Sequence, residues 1–277
     1  MLTKRSSLVT ALAVSLALIL TYGCKAPTEQ ELQLKNNTLQ IQQAVQSELD
    51  NLDRDLSAAA DELSRTGLSG PEAGQILNVL YNKYRFTIDF ATADTDDKII
   101  NIVPEGYSGF EGAFISTESK GGSIGTEKVE KPVLRNVVVM FEFEHTDAVI
   151  WPILSENGDV IGSVSALFEP PKLFTWTGVP SLTGTGMAVN IIELDGRTIY
   201  YSQGNDIGKN LLTDPAYKPY KDLIALGKRV FARQSGSGSY TFIDYTTGKT
   251  VKKLAFWSTV GLHGTEWRVV SVQQVAE

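Results

Sequence analysis

VIWPILSENGDVIGSVSALF, residues 149–168, is two β-rich runs joined by a polar turn. Glu156-Asn157-Gly158-Asp159 supplies the turn chemistry, because Asn-Gly accepts the positive φ that a tight hairpin demands. The stretch predicts an antiparallel hairpin, Ala148–Leu154 paired with Val160–Phe168. It has a partner roughly 100 residues on: LAFWSTVGLHGTEWRVVSVQ, residues 254–273. A second parallel links TDDKIINIVPEGYSGFEGAFIS (95–116) with LDGRTIYYSQGNDIGKNLLTDP (194–215). Repeats of that length are duplicated domains rather than solenoid units. On this alignment Trp151 and Trp257 hold equivalent positions.

Further strands are predicted at Ile88–Ala91, Ile99–Val103 and Val137–Phe143 in the first half. In the second half they are predicted at Val189–Leu194, Thr198–Tyr201, Tyr240–Tyr245, Thr250–Val260 and Trp267–Val272, with turns at Asp195-Gly196, Thr247-Gly248 and His263-Gly264. Helical patterns cover Glu72–Tyr84 and about Ala216–Arg233.

Ahead of both halves runs a segment with no Gly or Pro, from Thr28 to Arg65. Thr28-Glu29-Gln30-Glu31 reads as a capping box, with Thr28 accepting from a first-turn amide and Glu31 reaching back. Val45, Leu49, Leu52, Leu56, Ala60 and Leu63 step by three and four, which makes one buried stripe. At 1.5 Å per residue such a helix is about 57 Å long. Its length suits a spine along two stacked modules. A coiled-coil dimer stripe is the alternative, and a homodimer through this helix goes with it.

The chain opens with MLTKRSS and an apolar run from Leu8 to Leu20 that ends at Gly23-Cys24. A positive start and roughly 7–15 apolar residues describe a signal-peptide core. Cys24 is the chain's single cysteine, so no internal disulfide forms. The junction resembles the lipobox of bacterial and archaeal lipoproteins, with Thr21 where that motif usually has an aliphatic residue. The expectation is a lipid-modified Cys24 as mature N-terminus; an uncleaved anchor helix is the alternative. Both place the rest outside the cytoplasm, attached to the cell membrane. No other apolar run is long enough to cross a bilayer, and no transmitter domain is expected.

The net charge is −7 over 277 residues. Nucleic-acid binding needs clustered Lys and Arg, so it is not expected. No nucleophile elbow, Walker loop or H-E-x-x-H pair occurs. His145 and His263 are the only histidines and stand far apart. Neither a metal, a cofactor nor an enzyme activity is expected.

A long helix followed by two similar α+β modules is similar to the double Cache family, the PAS-like extracytoplasmic sensors of chemoreceptors and histidine kinases. The resemblance rests on WPILSENGDVIGSVSALF, DGRTIYYSQGNDIGKNL and the closing TGKTVKKLAFWSTVGLHGTEWRVVSV. It implies an α+β fold in which each PAS-like module is an antiparallel sheet with flanking helices. The organisation expected is signal peptide 1–23, lipidated Cys and linker 24–27, spine helix 28–70, membrane-distal module 71–178 and membrane-proximal module 179–277. The function implied is capture of a small organic ligand, usually in the distal module, with the signal passed to a separate membrane signalling or transport protein. A spacer without ligand is the alternative. The sequence departs from amino-acid-binding members in lacking their Tyr/Arg/Trp/Tyr cluster. Leu167 stands where an Asp is expected, which argues against an α-amino ligand.

Candidate ligand contacts follow from residue type. Tyr107, Phe110 and Phe114 lie in a Gly-rich stretch suited to closing over a ligand or packing on the sheet. Phe141 and Phe143 alternate with Glu142 and Glu144, so the aromatics share one face, as pocket wall or as core. Arg135 offers a planar fork to a carboxylate or a surface ion pair. Trp151 is a pocket candidate, or a structural residue like Trp257.

Overall fold

The computed structural model describes residues 26–115, 119–120, 129–136, 139–140, 143–184, 186–204, 206–243 and 248–275. Cys24 and Phe141 lie outside these residues.

Helix α1, Glu29–Thr66, begins at the capping box the sequence predicts. Thr28 Oγ1 accepts from the Glu31 amide at 3.2 Å, and Glu31 Oε2 accepts from the Thr28 amide at 2.8 Å. Its buried stripe extends the predicted one back through Ile41, Thr38 and Leu34. Helix α2, Gly70–Lys83, follows one turn later. Three further helices are α3 (Pro170–Trp176), α4 (Val179–Leu182) and α5 (Lys221–Ala232).

The first sheet has the order β2-β1-β8-β7-β4, all neighbours antiparallel. Its strands are β1 (Thr87–Ala93), β2 (Ile99–Val103), β4 (Val133–Asn136), β7 (Asp147–Leu154) and β8 (Val160–Phe168). Three two-residue strands, β3 (Ser119–Lys120), β5 (Val139–Met140) and β6 (Phe143–Glu144), form a small separate sheet. The single strand expected over Val137–Phe143 is therefore not found. That segment instead holds β5 and the start of β6, which pair with each other, while β4 takes the place beside β7.

The second sheet has the order β10-β9-β13-β12-β11. Its strands are β9 (Met187–Glu193), β10 (Thr198–Tyr201), β11 (Gly236–Ile243), β12 (Thr250–Leu262) and β13 (Thr265–Gln274). Strand for strand this repeats the first sheet, so the duplication visible in the sequence is a duplication of topology. The hairpin turns at Asn157-Gly158, Asp195-Gly196 and His263-Gly264 are the expected ones, while the turn expected at Thr247-Gly248 lies partly outside the described residues. Gly158 and Gly196 have φ of 84° and 98°, and His263 and Gly264 of 53° and 87°. Paired positive φ values at a two-residue turn match the twist of the strands it joins.

One hydrophobic cluster joins α1 to both sheets. From the first sheet it takes Phe90, Val149, Val164 and Phe168; from the second, Val189, Ile191, Val260 and Val269. Each large aliphatic side chain so buried contributes about 1.5–3 kcal/mol. The α1 stripe is thus spent within the chain, and a dimer through α1 would have to use its other faces. Polar contacts fix the register of the spine. The Gln46 side-chain amide donates to the Gly261 carbonyl at 2.9 Å and accepts from the Gly261 amide at 3.0 Å. Asp53 Oδ1 accepts from Trp151 Nε1 at 2.7 Å and lies 2.6 Å from His263 Nε2, so one carboxylate ties the helix to both sheets.

Trp151 and Trp257 turn out to face opposite ways. Trp151 lies against α1, whereas Trp257 donates from Nε1 to the Arg233 carbonyl on the far side of its sheet, in the cluster containing Leu226 and Val230 of α5. The aligned stretches are one residue out of phase in facing, and a shift of one flips every side chain. The equivalence expected for the two tryptophans does not hold.

Candidate functional site

With α1 and α2 covering one face of the first sheet, function is to be sought on the other, outer face. Cross-strand partners share a face, so the register names its residues. Ala91 pairs with Ser165 and Ala93 with Ser163; Ile150 pairs with Ser165 and Pro152 with Ser163. One row crosses four strands: Asp89 pairs with Leu167, Leu167 with Ala148, and Ala148 with Arg135. An acid and a base thus stand at the ends of one row, with Leu167 and Ala148 between them. Three strand spacings make that separation about 14 Å at the backbone.

The floor is covered by segments outside the sheet. The 3₁₀ turn Glu105–Phe110 follows β2 directly and brings Tyr107 over the face. Tyr107, Ile115, Val129, Val133 and Phe143 pack against Ile88, Met140, Ala148, Ile150 and Leu167. Tyr107 meets Phe143 edge-on at 6.0 Å and Phe110 at 6.3 Å. Phe110 packs toward Ala91, Ile99 and Ile102 at the β2 edge.

The structure therefore brings Tyr107, Phe110, Phe143 and Arg135 to the outer face. Phe114 sits at the rim, 44% exposed, bridged through its backbone to Lys98. Trp151 lies on the opposite face, bonded to Asp53, and so is set apart from this group.

Asp89 is not among the residues singled out from sequence. It is 3% exposed, and its Oδ2 is buried without a hydrogen-bond partner among the described residues. Burial alone pushes its carboxyl up to about 8. Asp97, before β2, is also raised by burial, with Arg135 opposing the shift and Asp94 and Asp96 adding to it. The Arg135 guanidinium is thus near enough to Asp97 to oppose that rise. Asp89 was hidden because it occupies one position of TIDFATA, an otherwise ordinary strand. Only the register reveals what it faces.

The second module differs on its outer face, where α5 covers the sheet. A cavity of about 110 Å³ lies there, lined among others by Tyr201, Tyr217, Tyr240, Phe242, Asp206 and Lys253. Burial, then Asp206, raises the phenol of Tyr217; burial, then Tyr201, raises that of Tyr240. Asp206 is paired with Lys209 at 2.6 Å. Sequence reasoning missed this cavity because its tyrosines come from three separated segments. Among the described residues no cluster of three or more His, Cys, Asp or Glu could hold a metal ion, and no helix is long and apolar enough to cross a membrane.

Two five-stranded antiparallel sheets of one topology, strung on a long N-terminal helix, define the double Cache-type sensor fold. Residues 47–170 match the family model of the HK/GC/Chemotaxis protein-like sensor domain. Among solved structures, an extracellular ligand binding receptor from Desulfohalobium retbaense is 27% identical with a TM-score of 0.71, over 88% of this chain and 40% of that one. The chain thus spans under half the length of that receptor. The ligand-binding domain of the Pseudomonas aeruginosa amino acid chemoreceptor PctB, in complex with L-Gln, superposes with a TM-score of 0.56 at 14% identity, over 87% of this chain and 89% of that one. That of the Pseudomonas fluorescens chemoreceptor CtaA, in complex with L-serine, gives 0.58 at 12% identity, over 89% and 99%. No curated protein matches the sequence. The fold and the matched family are those of extracellular sensor domains.

Proposed function

We propose that this protein is a membrane-anchored extracytoplasmic sensor that captures a small organic ligand on the outer face of its first module, without catalysis. The carrying observation is the construction of that face. Its floor of small and apolar residues is roofed by Tyr107, Phe110 and Phe143 from segments outside the sheet, while the opposite face is fastened to the spine. Pockets of this kind combine apolar walls with a few placed polar groups. In this reading residues 71–178 form the membrane-distal module and 179–277 the proximal one, because the start of α1 runs beside the second sheet, where Gln30 Nε2 donates to the Gln274 carbonyl at 2.6 Å. Lipidation at Cys24 supplies the anchor, and the signal passes to a separate membrane protein through a ligand-linked shift between two conformations.

A ligand-free spacer is the competing reading, and the packing of Tyr107 and Phe143 onto the sheet itself favours it. Thermal-shift screening of organic acids, amines and purines separates the two. A ligand at 100 times its Kd adds about 2.7 kcal/mol, which raises the melting temperature measurably. A melting temperature unmoved by every compound supports the spacer.

A further inference from the structure

In the second module, Ala188, Asn190 and Ile192 are alternate residues of β9 and so share the outer face of its sheet. Ala188 and Ile192 are buried in the apolar cluster that includes Leu226 and Val230 of α5. Asn190, between them, is polar. It pairs with Tyr201 on β10 and with Val270 on β13, and all three line the cavity of about 110 Å³ under α5. Tyr240 of β11 lines it as well and is 7% exposed.

Several polar groups of this cavity are engaged within the chain. The Tyr201 hydroxyl donates to Gln203 Oε1 at 2.8 Å. The Tyr217 hydroxyl bonds the Asp206 carboxylate, which also receives Lys209 at 2.6 Å. The Lys253 ammonium lies 5.0 Å from the centre of the Phe242 ring, where the ring quadrupole attracts it. The Asn190 amide and the Tyr240 hydroxyl, by contrast, make no hydrogen bond with any described residue. Burial, then Tyr201, raises the Tyr240 phenol above its usual range, so it stays an uncharged donor and acceptor at neutral pH.

A native site that keeps buried polar groups unmatched points to something outside the protein that matches them. The lining says what kind. Its two charges, Asp206 and Lys253, are already engaged, so a charged ligand would lose its hydration without gaining a fresh partner. An asparagine amide offers a carbonyl and an NH₂ group in one plane. That pair is the complement of another amide, which donates to the one and accepts from the other, while the Tyr240 hydroxyl supplies a third bond. Leu226, Val230 and Val270 leave apolar wall for a short tail. The cavity is smaller than the roughly 150 Å³ that takes benzene, so the occupant has only a few heavy atoms.

From this geometry we infer that the second module holds a ligand site of its own, between α5 and its sheet, for a small uncharged amide held by Asn190 and Tyr240. The site goes beyond the capture proposed for the first module and does not depend on it.

The test is a ligand-observed NMR titration of the full chain with acetamide and propionamide. Acetate, propionate, ethylammonium and propylammonium are the charged counterparts. The amides are expected to bind at least about tenfold more tightly than either charged series. Tyr240→Phe keeps the ring and should weaken amide binding at least about fivefold, and Asn190→Leu at least about tenfold. The Tyr240 hydroxyl holds nothing within the described chain, so Tyr240→Phe should melt with the wild-type protein, which separates loss of the site from loss of the fold. A crystal soaked in propionamide should show it between Asn190 and Tyr240. Equal or tighter binding of the charged counterparts overturns the site, as does amide binding that survives both substitutions. Amide density on the first module's outer face alone also overturns it. If neither amide binds, the cavity holds water only and the inference fails. Each of these outcomes leaves the first module's face to its own test with acids, amines and purines.

Discussion

Asp89 and Leu167 face each other across the β1–β8 ladder on the outer face of the first sheet. One is a buried carboxyl without a partner for Oδ2 among the described residues, the other the apolar residue where an acid was expected. The two begin a row that crosses the sheet through Ala148 to Arg135.

The stability of the ligand-free protein depends on pH through Asp89. Its carboxyl is raised from 3.8 to about 8 by burial, so the folded state holds a proton that the unfolded chain releases near pH 4. Stability is then greatest below pH 4 on this account, falls as pH rises from about 4 to 8, and levels off above 8. Asp89→Leu removes this dependence and stabilises the empty protein at pH 7 by about 1–3 kcal/mol. Urea unfolding of both proteins at pH 5, 7 and 8.5 checks it; a constant difference between them contradicts it.

Asp53 holds both sheets to α1 through Trp151 and His263. Removing it leaves the Trp151 indole N–H without its acceptor and frees the turn at His263. Asp53→Ala is expected to cost about 2–4 kcal/mol, taking two bonds to a charged group at about 1.5–3 kcal/mol each less some local relaxation. It should also loosen the coupling of the modules, so that calorimetric unfolding broadens or splits. A single transition of unchanged midpoint contradicts the clamp.

Gly162 allows β8 to pass close to β1. A Cβ there would press on the Ala93 carbonyl oxygen and stand 2.7 Å from Leu68 Cδ1. Gly162→Ala is expected to destabilise by about 1–3 kcal/mol, as overpacking does, and to shift the β1–β8 register that presents Asp89. Denaturant melts give the first effect, and loss of ligand response the second.

The spine and the turns were legible because they obey short-range rules. The capping box at Thr28 and the stripe from Val45 to Leu63 follow helical periodicity, and Asn157-Gly158, Asp195-Gly196 and His263-Gly264 mark hairpins by their backbone requirements. Tyr107, Phe143 and Arg135 were visible as residue types, and the fold places them together. What stayed hidden depends on strand register. The facing of Trp151 turns on a single residue of phase, and Asp89 gains meaning only from Leu167, far along the chain. Val137–Phe143 reads as one strand by composition, yet Val139–Met140 pairs antiparallel with Phe143–Glu144. The second-module cavity needs Tyr201, Tyr217 and Tyr240 brought together by α5, which no local pattern announces.

The central claim is that the first module's outer face is the ligand site. A structure of the protein grown with a compound from the acid, amine and purine screen that raises its melting temperature tests this most directly. Density for the compound is predicted against β1 and β8, with its body beneath Tyr107 and Phe143. Density instead in the second-module cavity, among Tyr201, Tyr217 and Tyr240, would contradict it.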